Sequence, residues 1–289
     1  MAGERLSPWD IRIFESVLSG EKASGRIAQA LGLSPSYTSE CVNRLRGMGL
    51  VEVRRAGLSV LVRPARSPSA AALARLLKEG SGLNISKVLT GPGLALLPHL
   101  LPPGRTANEL IEASALSRMT VMERIRLWRG MGLAVRDPST GRYSLAPGQR
   151  ELSDFAAGYS DDRNRRAAAE AAAGAILLWH GPDGFLFSVD AGTPVKGFTP
   201  AGPSALGVRI ATSRDYYLAG RRRRISHDEA LVQTLLVDPG NPRIRRMLRE
   251  RAAGDAEVRR NMAVLAEKYG MQREMAEALE GLHGKKEIH

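Results

Sequence analysis

A single cysteine, Cys41, stands among the 289 residues. One thiol excludes an internal disulfide framework and any multi-cysteine zinc site. No apolar run reaches the ~18 residues that a membrane-spanning helix needs. Met1 to Asp10 is polar and carries no hydrophobic signal-peptide core. Lysine is scarce too: only 7 of the 42 basic residues are Lys, so the positive charge is nearly all arginine. An arginine bias suits phosphate contacts, and it is also what a GC-rich genome produces. Hydrophobic residues at 43% exclude global disorder. The expectation is a cytoplasmic globular protein with room for two or three domains, and without a membrane span.

Acidic residues number 30 against 42 basic ones, a net charge of +12. Residues 1–64 carry net +3, residues 65–150 net +7 and residues 151–289 net +2. Ten of the twelve excess charges therefore lie in the first 150 residues. An electrostatic contact with a polyanion belongs there rather than in the C-terminal part, despite the run Arg221–Arg224.

The same region contains a repeat. Leu33–Leu50 reads LSPSYTSECVNRLRGMGL, and Leu116–Leu133 reads LSRMTVMERIRLWRGMGL. They align without gaps at an offset of 83 residues with 8 of 18 positions identical. That spacing is too wide for a solenoid and implies a duplicated small domain. In the first copy Lys22–Leu31 reads as a helix, Gly32 as its left-handed end, and Ser34-Pro35 as the start of a second helix. Thr38, Cys41, Val42 and Leu45 fall on its inner face, and Ser36, Tyr37, Ser39, Glu40 and Asn43 on its outer one. Val51–Arg55 and Leu58–Arg63 then form a hairpin around Ala56-Gly57. The second copy repeats this order. Thr106 caps one helix and Ser117 the next, Val121, Ile125 and Trp128 point inward, and Leu133–Arg136 with Arg142–Leu145 make the hairpin.

Helix, tight turn, capped helix and hairpin, over residues 8–64 and again over 92–147, resemble the winged helix-turn-helix of archaeal and bacterial regulators. The resemblance implies that each second helix enters the major groove of double-stranded DNA while its hairpin touches the backbone or minor groove. Carried over, the DNA-binding residues are Ser36, Tyr37, Ser39, Asn43 and Arg44 with Arg54 and Arg55, then Arg118, Thr120 and Arg126 with Arg136 and Arg142. Arg54 and Arg55 have a second reading as solvated hairpin charges, and Tyr37 as packing for the first helix. Met119 and Met122 suit a protein neighbour better than a base, so the second copy has two readings, DNA binding and dimerisation. Cys41 reads as a small core residue.

The expected order is winged helix 1–64, helical linker 65–91, winged helix 92–150, and a C-terminal domain over 151–289 that binds a partner or effector. Within the linker, Leu73, Leu76 and Leu77 share an apolar face that either forms a homodimer seam or bridges the two copies. In the C-terminal part, Leu152–Trp179 reads as a helix broken near Gly158 and Gly174, with Asp161–Arg166 as its solvated face. Strands follow over Phe185–Val189, Val195–Phe198, Ala205–Ala211 and Tyr216–Ala219, then helices over Asp228–Leu236, Pro242–Ala252, Ala256–Tyr269 and Gln272–Leu282. The fold class is thus mainly α with α+β parts: two winged helices, then a small α+β domain ending in a helical bundle.

No chemistry-bearing motif emerges. Ser226 and Glu229 fit a capping box, His180, His227 and His283 lack metal-ligand spacing, and Asp183 and Asp190 form no paired-carboxylate motif. The expectation is a non-enzyme without metal or cofactor. The C-terminal order, TPAGPSALGVRIATSRDYYLAG followed by ISHDEALVQTLL, loosely resembles proteins related to AbiEi-type antitoxins, which implies a partner-binding domain. Three roles stay open: a dimeric transcriptional regulator acting as repressor, an initiator-like or architectural protein of replication origins, and an antitoxin-like interaction protein.

Overall fold

The computed structural model describes residues 5–79, 83–181, 184–210, 213–220 and 224–280. Gly80-Ser81-Gly82, Asp183, Arg221–Arg223 and His283 lie outside the described residues, as does the end of the last expected helix. The chain forms two compact units, Met1–Arg163 and Asn164–His289.

The first unit opens with α1 (Pro8–Val17), which sequence reasoning missed. Ser7 caps it: the Asp10 amide donates to Ser7 Oγ at 3.2 Å, and the Ser7 amide donates to Asp10 Oδ2 at 2.6 Å. The expected helix from Lys22 begins two residues later. Lys22–Ala23 is a short strand, β1, because it pairs with Val62 and Leu61. Then come α2 (Ser24–Leu31) and α3 (Pro35–Gly47), separated by Gly32 at φ +65°. Ser34 Oγ accepts the Tyr37 amide at 3.2 Å, and Pro35 occupies the first turn. β2 (Val51–Ala56) and β3 (Ser59–Pro64) close a six-pair antiparallel hairpin in a sheet ordered β1-β3-β2.

The connecting region holds α4 (Pro68–Glu79), α5 (Ile85–Leu89), α6 (Gly93–Leu96) and a 3₁₀ turn at Leu97–Leu100. After it come α7 (Ala107–Ser114), α8 (Arg118–Gly130), β4 (Ala134–Arg136), β5 (Tyr143–Leu145) and α9 (Arg150–Ala171). Adding the sequence offset of 83 to the bounds of α2 and α3 returns those of α7 and α8. The hydrogen bond after each second helix is reproduced, Leu50 N–H to Leu45 O at 3.0 Å and Leu133 N–H to Trp128 O at 2.8 Å. The second hairpin is two residues shorter: Ala65 bonds back to Leu50 in the first copy, Ala146 to Leu133 in the second.

Both copies share one hydrophobic core. It joins Cys41, Val42 and Leu45 of α3 with Val121, Ile125 and Trp128 of α8, and with Leu73 and Leu76 of α4. Leu73 and Leu76 of the expected α4 face are thus buried in the core of their own chain, and Leu77 is half-buried against it. Phe155 and Tyr159 of α9 complete this core. The helix runs through Gly158 unbroken, and glycine there lets the backbone of Pro68 and Ser69 approach, which a Cβ would meet at 3.2 Å. Asp161–Arg166 is not a solvated face. Asp162 is 8% exposed, and its Oδ2 accepts the Ser69 amide at 2.9 Å at the start of α4.

The second unit is built on a four-stranded antiparallel sheet ordered β6-β7-β9-β8. Its strands are β6 (Ile176–Gly181), β7 (Gly184–Asp190), β8 (Thr199–Pro200) and β9 (Arg214–Gly220). β6 falls where the helix from Leu152 was expected to continue. α9 stops at Ala171, Gly174 turns the chain at φ +73°, and pairing with β7 overrides the local pattern. A bulge at Leu178 sends Leu177 and Trp179 to opposite cores. Val195–Phe198 is not a strand, and Gly202–Leu206 is a helix, α10, where Ala205–Ala211 was expected to be extended. Pro203 at its start and Gly207 at φ +64° past its end set that helix. Helices α11 (His227–Val237), α12 (Pro242–Ala252), α13 (Ala256–Tyr269) and α14 (Gln272–Leu279) follow, packed around Leu231, Leu248 and Met262. The described chain is mixed α and β, mostly helical, with small antiparallel sheets.

Candidate nucleic-acid interface

α3 and α8 each show the solvent one outer stripe. Residues spaced i, i+3, i+7 and i+10 share a helix face. On α3 that stripe is Ser36, Ser39, Asn43 and Arg46, all exposed. On α8 it is Met119, Met122, Arg126 and Arg129; Met122 is half-buried and the others are exposed. Arg46 and Arg129 were missed. The offset could have found them, since they are one of the eight identical pairs and the only cationic one. Both sit in the last turn, where a cation also favours the helix dipole.

The predicted arginines divide into two groups. Arg44 does not face solvent with its neighbours. Its Nε and Nη2 donate to Asp10 Oδ2 and Oδ1 at 2.9 and 3.0 Å, and Asp10 is fully buried. That bond raises the arginine's pKa further. Leaving a buried carboxylate unpaired costs about 3–5 kcal/mol, whereas an exposed ion pair returns about 1 kcal/mol or less. Arg44 therefore stays on Asp10. Arg54 donates to Glu21 at 2.9 and 2.6 Å and holds that carboxyl below its usual range. Arg142 donates to Gly104 O at 2.8 Å and to Glu109 Oε1 at 3.1 Å. In the second group, Arg55, Arg118 and Arg126 are exposed and have no hydrogen bond or ion pair among the described residues. Arg136 is exposed with its guanidinium 6.0 Å from the centre of the Tyr143 ring.

Three hydroxyl and thiol groups complete the inventory. Tyr37 is half-buried and packs against the core. Thr120 is half-buried, with its hydroxyl 2.9 Å from Ser117 Oγ at the helix cap. Cys41 is buried, and burial followed by the Asp10 charge pushes its thiol pKa up, away from the reactive thiolate. Its counterpart in the second copy is Arg124, which donates to the carbonyls of Lys87 and Thr90 at 2.8 and 3.1 Å.

An open cleft of about 490 Å³ lies beside the first hairpin, with Leu18, Glu21, Arg54 and Arg63 in its wall. Both arginines there are already paired, Arg54 with Glu21 and Arg63 with Glu52. Ser226 Oγ accepts the Glu229 amide at 3.1 Å as the capping motif requires, but the Glu229 carboxylate does not return the bond. It is buried against Tyr269 OH at 2.6 Å and Lys268 Nζ at 3.0 Å. Among the described residues no group of three or more His, Cys, Asp and Glu side chains could hold a metal ion, and no helix is long and apolar enough to cross a membrane.

Compared with known proteins, the chain matches no family and no curated sequence.

Proposed function

We propose that the two copies in the first unit are winged helices and that the protein is a double-stranded DNA-binding regulator. The observation that carries this reading is the duplicated, capped second helix with an unburied stripe, backed by arginines without an ion pair among the described residues. The side chains divide the work. Ser36, Ser39 and Asn43 offer hydroxyl and amide groups suited to base edges. Arg118, Arg126 and Arg129 offer charge suited to phosphates. Arg44 leaves the list of phosphate contacts, and Arg54 and Arg142 serve it only by giving up internal partners.

Mobility-shift titration over a range of salt tests the reading. Duplex binding should weaken steeply with salt. Arg126→Ala with Arg129→Ala should weaken all duplexes alike, while Asn43→Ala should change sequence preference. No duplex binding at low salt refutes it.

Met119, at 69% exposure, favours a second reading for α8 alone. Paired with the half-buried Met122, it suits an apolar partner surface, as in an antitoxin-like or dimeric regulator. Co-purification of a partner lost on Met119→Lys would support that reading.

A further inference from the structure

The first hairpin ends in an unusual apex. Gly57 and Leu58 form its two-residue loop, with Ala56 paired to Ser59. Gly57 has φ +59° at the first central position, the arrangement of a type II′ turn, which leaves the second position free for any side chain. Leu58 fills it and is 107% exposed, its whole side chain open to solvent. Val60 is exposed behind it, and Arg55, paired with Val60 across the ladder, makes no hydrogen bond or ion pair among the described residues.

Scattered exposed leucines are ordinary on protein surfaces. Three features single out Leu58. Arg54 to Ala56 and Ser59 to Val60 are all exposed, so the tip stands about 10 Å beyond the core. The stem is fastened by Arg54–Glu21 and Arg63–Glu52, and by β1 along its edge. The duplicate hairpin has no such apex: it is two residues shorter, and its loop is polar and self-bonded. There Asp137 Oδ1 accepts the Ser139 amide at 2.8 Å, and Oδ2 accepts the Thr140 hydroxyl at 2.7 Å.

We infer that Leu58 is an apolar wedge for the minor groove of duplex DNA, where it unstacks a base step and bends the duplex, with Arg55 beside it on the phosphates. The inference rests on the DNA-binding reading. Apolar side chains inserted between base steps kink DNA toward the major groove, and the unstacking is offset by the added contact. Flexible pyrimidine–purine steps accept such a wedge most readily. With Arg54 and Arg63 held by Glu21 and Glu52, the charge at the tip is that of Arg55, and one cation beside an apolar point matches this groove in charge and shape.

The test uses the full chain and a short duplex recovered by it from a random pool, labelled at both ends for energy transfer. Wild type should bend the duplex on binding. Leu58→Ala, at a fully solvent-exposed position, should keep the fold. It should lose most of the bend and roughly tenfold in affinity, while Leu58→Met should retain both. Equal bending and affinity in Leu58→Ala and wild type overturn the wedge and leave DNA binding intact, as does a wild-type complex with straight DNA. Failure of wild type to bind any duplex overturns the DNA reading itself.

Discussion

Replacing Arg44 by alanine separates a structural tie from a DNA contact. The Asp10 carboxylate is fully buried and has three donors: the Ser7 amide at 2.6 Å and the two Arg44 nitrogens at 2.9 and 3.0 Å. Arg44→Ala leaves one of the three. Breaking a buried pair costs about 3–5 kcal/mol. The Arg44 side chain is 36% exposed, so water can follow it into the gap and the lower end applies, about 3 kcal/mol. Asp10→Ala also removes half of the α1 capping box, worth about 1 kcal/mol, but Arg44 can turn to solvent, so about 2 kcal/mol is expected. The double variant should cost less than the sum of the two, with a coupling of about 1–3 kcal/mol.

Urea titration followed by fluorescence measures this. In a Trp179→Phe background, Trp9 and Trp128 report the first unit. At this unit's size, 3 kcal/mol corresponds to a Tm lower by about 6–12 °C. The reasoning fails if Arg44→Ala loses under about 0.5 kcal/mol while the salt slope of duplex binding falls by about one unit. That pair of results would make Arg44 a phosphate contact.

Two further predictions concern the fold. Ala115 holds φ +55° at the position of Gly32; a left-handed alanine costs about 1–2 kcal/mol and glycine returns about half of that in chain entropy, so Ala115→Gly should stabilise by about 0.5–1 kcal/mol in the same urea assay. His99 is buried, and desolvation, then the charges of Arg105 and Arg163, lower its pKa from 6.5 to about 3. The folded state thus binds its proton less readily than the unfolded chain. The stability contributed is complete above pH 6.5 and is lost between there and about 3, at up to about 1.4 kcal/mol per pH unit. His99→Gln should flatten the acid limb between pH 6.5 and 4.5, and an unchanged slope would contradict the assignment.

What could be read from the sequence was what local chemistry decides. The bounds of α3 and α8 follow from Ser34-Pro35, from Ser117 and from the closing glycines, and the offset of 83 carries them from one copy to the other. What could not be read was decided at long range. Ile176–Gly181 continues an apolar, Ala-rich run and becomes a strand only because β7 pairs with it. Arg44 lies beside the outward positions of α3, yet a carboxylate 34 residues earlier in the chain captures it. Glu229 fits a capping box, yet Tyr269, 40 residues later, takes its carboxylate. In each case the partner was invisible to spacing.

The two copies answer the same structural need with different residues, and the difference bears on the proposed function. Each second helix is tied by one arginine to the segment packed behind it. In α3 that arginine is Arg44, on a buried carboxylate; in α8 it is Arg124, one turn earlier in the equivalent numbering, on two backbone carbonyls. The carboxylate cancels the charge of Arg44, whereas the carbonyls leave Arg124 cationic. The position equivalent to Asn43 is Arg126, so the second copy gains a further charge on its outer stripe, without an ion pair among the described residues. Of the net +7 of residues 65–150, +3 lies in the connecting residues 65–91 and +4 in residues 92–150, close to the +3 of residues 1–64, so the copies differ in where their charge sits rather than in how much they carry. On the proposed reading, α3 discriminates among sequences with hydroxyls and an amide while α8 supplies salt-dependent attraction. Exchanging Asn43 and Arg126 should then move sequence preference and salt slope in opposite directions between the copies.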